Sequence, residues 1–129
     1  MGMGYGAGYA DVIEAFDVKR FCPKEYQALQ DAIDRTSFAW EDVARAGTYD
    51  SIEEDCGKDI HKAFTKLQDA FEKKTGLALG ISFHDCEDEG DRYDDIDGMY
   101  FWVDGMYQLT PAGKKMEKYV ERQTFVQFG

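Results

Sequence analysis

Residues 51–84 read SIEEDCGKDIHKAFTKLQDAFEKKTGLALGISFH, and the fold turns on how the apolar period changes within them. Ser51-Ile-Glu-Glu54 is a capping box, in which the serine oxygen accepts from the third backbone N–H and the glutamate reaches back. From there Cys56, Ile60, Ala63, Phe64, Leu67, Ala70 and Phe71 recur on one face. Lys58, Lys62, Lys66, Asp69, Glu72 and Lys73 fall largely on the other. This spacing predicts one helix from Ser51 to Gly76, with Lys73 and Lys74 at the negative end of its dipole and Gly76 as the stop. After Gly76 the period drops from about 3.6 residues to 2. Leu77, Leu79, Ile81 and Phe83 alternate with Ala78, Gly80, Ser82 and His84, as in a strand with one buried face.

Upstream, Ala10–Ala15 reads as a short edge strand, and Asp17 is placed to cap a helical turn ending at Phe21. Pro23 suits the first position of the next helix, whose inward stripe is Tyr26, Leu29 and Ile33. Ser37 is the expected cap of a further short helix carrying Phe38, Trp40 and Val43 to Gly47. Downstream, Met99–Val103 is apolar on both faces, and Asp104-Gly105 fits a two-residue hairpin turn into Met106–Leu109. In that register Trp102 would oppose Tyr107, Val103 would oppose Met106 and Phe101 would oppose Gln108. Thr110-Pro111 opens a last helix with Met116, Tyr119 and Val120 inward, and Gln123–Phe128 reads as a final strand. The expected fold is therefore a single α+β domain spanning 1–129. Its helices pack on a small, largely antiparallel sheet with strands near 77–84, 98–103, 106–109 and 123–128, and a helix at 111–121 precedes the last strand. Residues 1–9, with glycine at 2, 4, 6 and 8, read as a flexible arm.

Hydrophobic residues at 43% and aromatics at 15% exclude a disordered chain despite a net charge of −11 over 129 residues. That charge is uneven: residues 77–109 carry nine acids and one base. Eight carboxylates crowd into the acidic loop 85–97, namely Asp85, Glu87, Asp88, Glu89, Asp91, Asp94, Asp95 and Asp97. Like charge so concentrated repels itself, and it repels phosphate backbones and anionic lipid. Direct nucleic-acid and membrane partners are disfavoured, and no apolar run approaches a membrane span. The odd, scattered Cys22, Cys56 and Cys86 argue against a disulfide scaffold and for a reducing, cytoplasmic setting.

The acidic loop fails as an EF-hand. Counting from Asp85, Gly90 stands at position 6, but position 12 is Ile96 where a bidentate carboxylate is required. His84-Asp-Cys86, and Cys56 with His61, are scattered singles rather than a zinc set, so no metal or cofactor is expected. Among the acids, Glu14, Asp17 and Asp104 sit in apolar surroundings suited to a raised pKa. No nucleophile–base pair or phosphate-binding loop accompanies them, and the expectation is a protein that is not an enzyme. Tyr107-Gln-Leu-Thr-Pro-Ala-Gly-Lys114 resembles the wing-to-helix segment of winged-helix transcription regulators, over residues 99–120. That resemblance would imply DNA binding, but this hairpin carries Asp97 and Asp104 where a wing carries Arg and Lys. It is read as a shared hairpin-and-proline-started-helix solution.

Tyr93, Tyr100 and Trp102 accompany the acidic loop, and Tyr and Trp favour interface centres while charged rims steer encounter. The expected site is therefore the eight carboxylates with Tyr93, Tyr100 and Trp102, set against a basic surface of a protein partner. In its most concrete form the chain is an inhibitor that mimics nucleic acid and covers a nucleic-acid-binding surface. Small acidic chains of this kind occur among phage-encoded inhibitors of host machinery. The alternatives are a divalent-cation-binding or small hydrolytic protein using the same carboxylates, and a structural subunit docked through residues 2–9.

Overall fold

The computed structural model describes residues 11–85 and 98–105. They form β1 (Asp11–Ile13), α1 (Ala15–Phe21), α2 (Pro23–Asp34), α3 (Trp40–Tyr49), α4 (Ile52–Cys56), α5 (Lys58–Thr75), β2 (Leu77–His84) and β3 (Gly98–Gly105). Helices pack on one face of a three-stranded antiparallel sheet ordered β1-β3-β2, an α+β arrangement. The expected arm at 1–9, the strands at 106–109 and 123–128 and the helix at 111–121 lie outside the described residues.

Proline explains the first helical joint. A residue before proline is pushed out of the α region. Cys22 accordingly leaves helical geometry (φ −136°) and serves both as the end of α1 and as the cap of α2, with Pro23 at the start of α2. Asp17, expected as a cap, instead lies within the first turn of α1, where it is 1% exposed. The residue at the cap position is Glu14, whose carbonyl receives the Asp17 and Val18 N–H groups.

The next correction concerns α3. Ser37 does not cap it; the helix starts later, at Trp40, with Ala39 at the cap position. The Asp42 carboxylate accepts from the Ala39 N–H at 2.8 Å, while the Thr36 hydroxyl accepts from the Phe38 N–H at 3.0 Å. That local turn competes with helix and leaves Phe38 exposed. Trp40 stays inward. Its ring stacks on Tyr26 at 5.2 Å and meets Phe101 edge-on at 5.8 Å, and its indole N–H donates to Gln30 at 2.7 Å. These contacts tie α2, α3 and β3 together.

The helix expected to run unbroken from Ser51 to Gly76 is two helices. Ser51 does cap, its hydroxyl accepting from the Glu54 N–H at 3.4 Å. Gly57 then takes φ +99°, a conformation side chains resist, and α5 starts afresh at Lys58. The break lets α4 pack against α3 while α5 packs against α2 and β2. Apolar period alone does not register it, because Cys56 and Ile60 are buried on either side.

Gly76 ends α5 in the left-handed conformation (φ +80°), donating to the Glu72 carbonyl at 2.8 Å. Buried Thr75 then joins helix to strand: its hydroxyl donates to the Phe71 carbonyl and accepts from the Leu77 N–H. Gln68 adds a bond to the Leu79 carbonyl at 2.8 Å. Leu77, Leu79, Ile81 and Phe83 are buried against the helices with Phe101, Val103 and Ile13, as their alternation predicts. Each such side chain contributes roughly 1.5–3 kcal/mol by leaving water.

The turn expected at Asp104-Gly105 does not form. Both residues continue β3, opposite Ala78 and Leu77. The expected pairing with Met106–Leu109 fails at Phe101, Trp102 and Val103 because both of their edges are taken. Phe101 lies between Ile13 and Ile81, Trp102 between Val12 and Gly80, and Val103 between Asp11 and Leu79. The N-terminal edge strand occupies the place that local hairpin logic assigns to the following residues.

Candidate functional site

β2 and β3 pair along their whole length, and His84 stands opposite Gly98. Residues 85–97 therefore connect adjacent strands at one end of the sheet. Gly98 re-enters at φ +108°, where a side chain would be strained although nothing lies within 4 Å of its Cβ position. Of the expected contact residues, Asp85 is described: it is half-buried directly after β2. Glu87, Asp88, Glu89, Asp91, Tyr93, Asp94, Asp95 and Asp97 lie outside the described residues.

Tyr100 and Trp102 sit on the sheet face turned from the helices, since Tyr100 opposes Ser82 and Trp102 opposes Gly80. Both are half-buried. The Trp102 indole lies over Gly80 and donates to the Ser82 hydroxyl at 3.0 Å. This fixes the ring as part of the sheet surface. Tyr100 stands three residues beyond the connection and Trp102 five, so the tyrosine is the nearer of the two to it in sequence. His84 belongs to the same outward set by register, yet it is buried.

Asp17 is a buried carboxylate. A backbone hydrogen bond from Glu14 and the charge of Arg20 favour its ionised form, but burial outweighs both and pushes its pKa up. Its Oδ2 is buried with no hydrogen-bond partner. Cys22 and Cys56 are buried free thiols. Burial raises both, and the charges of Asp42 and Asp55 raise Cys56 further. Neither has the depressed pKa of a nucleophile.

A concavity of about 400 Å³ opens between α3 and α4, bordered by Phe38, Tyr49, Asp42, Asp50 and Asp55 with Cys56 beneath. The expected helix capped by Ser37 includes Phe38, whereas Phe38 precedes α3 and is exposed at the cavity. The available signal was Asp50 and Asp55 on either side of the Ser51 cap, which brings acids five residues apart to one helix start. A second groove, of about 470 Å³, lies between α2 and α5, with Lys24, Arg35, Lys62 and Lys66 against Glu25 and Asp59.

Among the described residues no group of three or more His, Cys, Asp or Glu side chains is placed to hold a metal ion. No helix among them is long and apolar enough to cross a membrane. Comparison with protein-family models, curated proteins and solved structures finds no match to this chain.

Proposed function

We propose that this chain is a small acidic, non-catalytic interaction protein that binds a basic surface of another protein through residues 85–97 and the neighbouring Tyr100. Its most concrete form is an inhibitor that covers a nucleic-acid-binding surface by presenting carboxylates where phosphates would lie. One observation carries this reading: the His84–Gly98 pair pins both ends of the connection to adjacent strands. From either anchor a chain covers at most about 3.5 Å per residue, so all eight carboxylates stay within roughly 25 Å of the sheet end. Eight charges in so small a region raise the local potential well beyond what a net charge of −11 spread evenly would give. Screening over about 8 Å at physiological salt makes this a contact-range device, with steering added as salt falls.

The test compares wild type with a variant carrying Asp85→Asn, Glu87→Gln, Asp88→Asn and Glu89→Gln. Each is immobilised and exposed to nuclease-treated lysate of the source cells, and the affinity of any retained protein is then measured against salt. The expected result is a basic protein held by wild type, released by the variant, with a flatter salt dependence. Equal retention by both, or no retention by either, overturns the reading.

A further inference from the structure

We infer that the concavity between α3 and α4 is a subsite for one arginine side chain of a basic partner; this deepens the functional reading above and rests on it. Phe38, Tyr49 and Phe16 are the large apolar side chains exposed among the described residues, and the first two border this cavity, Tyr49 at 61% exposure. Exposed rings beside an open cavity offer π-faces to a flat cation. Asp42, Asp50 and Asp55 supply the carboxylates. Arg45 also lines the concavity, and its guanidinium pairs with Glu41 at 3.4 Å and stacks 3.9 Å from the Phe83 ring centre.

The occupant follows from the lining. Lysine is a compact, strongly hydrated point charge, whereas a guanidinium is planar, weakly hydrated and forked, able to stack on a ring while bonding a carboxylate with two N–H groups. A lining that joins two aromatic rings to three carboxylates matches the second. Place matters too. The Thr48 hydroxyl accepts from the Phe83 N–H at 2.8 Å, which sets the end of α3 against the end of β2, where residues 85–97 depart. Tyr49 and Asp50 follow Thr48 directly, so the concavity lies at the end of α3 that packs on the end of β2.

The experiment titrates ¹⁵N-labelled protein with a blocked heptapeptide of one arginine flanked by glycines, and with its citrulline and lysine counterparts. The expected outcome is saturable shifts at Phe38, Tyr49, Asp50 and Asp55 with a Kd of about 1 mM, as suits one side chain. Tyr49→Ala and Asp55→Asn, both at exposed positions, should each weaken it roughly tenfold, the size of about 1.4 kcal/mol. Absence of saturation at tens of millimolar, equal binding by the citrulline peptide, or unchanged binding by both variants overturns the subsite. Equal binding by the lysine peptide overturns the guanidinium assignment. The variant neutralised at Asp85, Glu87, Asp88 and Glu89 should bind the arginine peptide as wild type does. Loss of partner capture and loss of peptide binding are thus separate failures.

Discussion

Gly80→Ala should be strongly destabilising in this protein and harmless once Trp102 is gone. A Cβ on Gly80 would stand 1.9 Å from Cζ2 and 2.1 Å from Cε2 of the Trp102 indole. Carbon atoms rest at about 3.5–4.0 Å, so the ring must retreat by roughly 2 Å. The bond from its Nε1 to the Ser82 hydroxyl, 3.0 Å long, cannot survive that movement. Losing it costs about 1 kcal/mol. Forcing the ring from its seat adds about 1–3 kcal/mol. Against this, replacing glycine restricts the unfolded chain and returns about 0.4–1 kcal/mol, because Gly80 does not occupy the positive-φ region. The net expectation is about 1–3.5 kcal/mol of destabilisation, or a fall in Tm of roughly 4 °C per kcal/mol for a chain of this size. In a Trp102→Ala background the obstacle is absent, and Gly80→Ala should be neutral or slightly stabilising. Urea unfolding followed by far-UV circular dichroism on the four proteins of the cycle measures the coupling. If Gly80→Ala costs the same in both backgrounds to within about 0.5 kcal/mol, the ring does not sit where this argument needs it.

Asp17→Asn should stabilise the protein at neutral pH by about 1 kcal/mol, since it removes a buried charge that has an unsatisfied oxygen. The folded pKa lies above 3.8, so the native state binds the extra proton and stability falls as pH rises from about 3.8 through the folded pKa. The gap between variant and wild type in urea unfolding should therefore close as pH approaches 4, and parallel pH profiles would refute the assignment. Gly57→Ala should cost about 1–3 kcal/mol from backbone strain alone, because φ +99° with ψ 166° is a region open essentially to glycine and nothing lies within 4 Å of the added carbon. Thermal unfolding that leaves Tm unchanged would contradict it. Thr75→Val keeps the shape but strips the hydroxyl that joins α5 to β2, leaving the buried Leu77 N–H without that partner. A loss of about 1–3 kcal/mol is expected, read by the same urea titration.

What the sequence disclosed and what it hid divide along the range of the interactions. Pro23, the Ser51 cap, the Gly76 stop and the alternation from Leu77 to Phe83 are local signals whose physics is complete within a few residues, and each stands in the structure. Ser37 misled because a cap residue is chosen in competition: Thr36 ties down the Phe38 N–H, and Asp42 takes the Ala39 N–H from three positions inside the helix. Gly57 was hidden because a kink that keeps the apolar face continuous leaves no mark on the period. Asp104-Gly105 carried a sound local turn signal that lost to long-range pairing. With β1 and β2 both on β3, the strand gains a partner along each edge by running straight through those two residues on the β2 side. The site divides likewise. The acidic connection is visible as composition, whereas the α3–α4 cavity needs two helices to meet, and Asp50 and Asp55 beside the Ser51 cap mark only one side of it.

The arrangement of charge gives a physical reason for the acidic contact surface proposed at a hairpin end. Lys24, Arg35, Lys62 and Lys66 gather on the α2–α5 surface, so the described part of the molecule is charged unevenly within an acidic whole. A net charge of −11 makes that basic groove a poor site for a phosphate backbone, which would have to approach through the field of the entire chain. The same separation has a use when the approaching surface is positive. Cations on α2 and α5 are repelled while the hairpin end is attracted, so the encounter is biased in orientation as well as in rate. Charge-swapping Lys62 and Lys66 to Glu would then raise the net negative charge yet weaken that orientational bias. If overall attraction alone governed association, the swap should speed it. If orientation governs it, association with a basic partner should slow or stay level despite the four added units of negative charge.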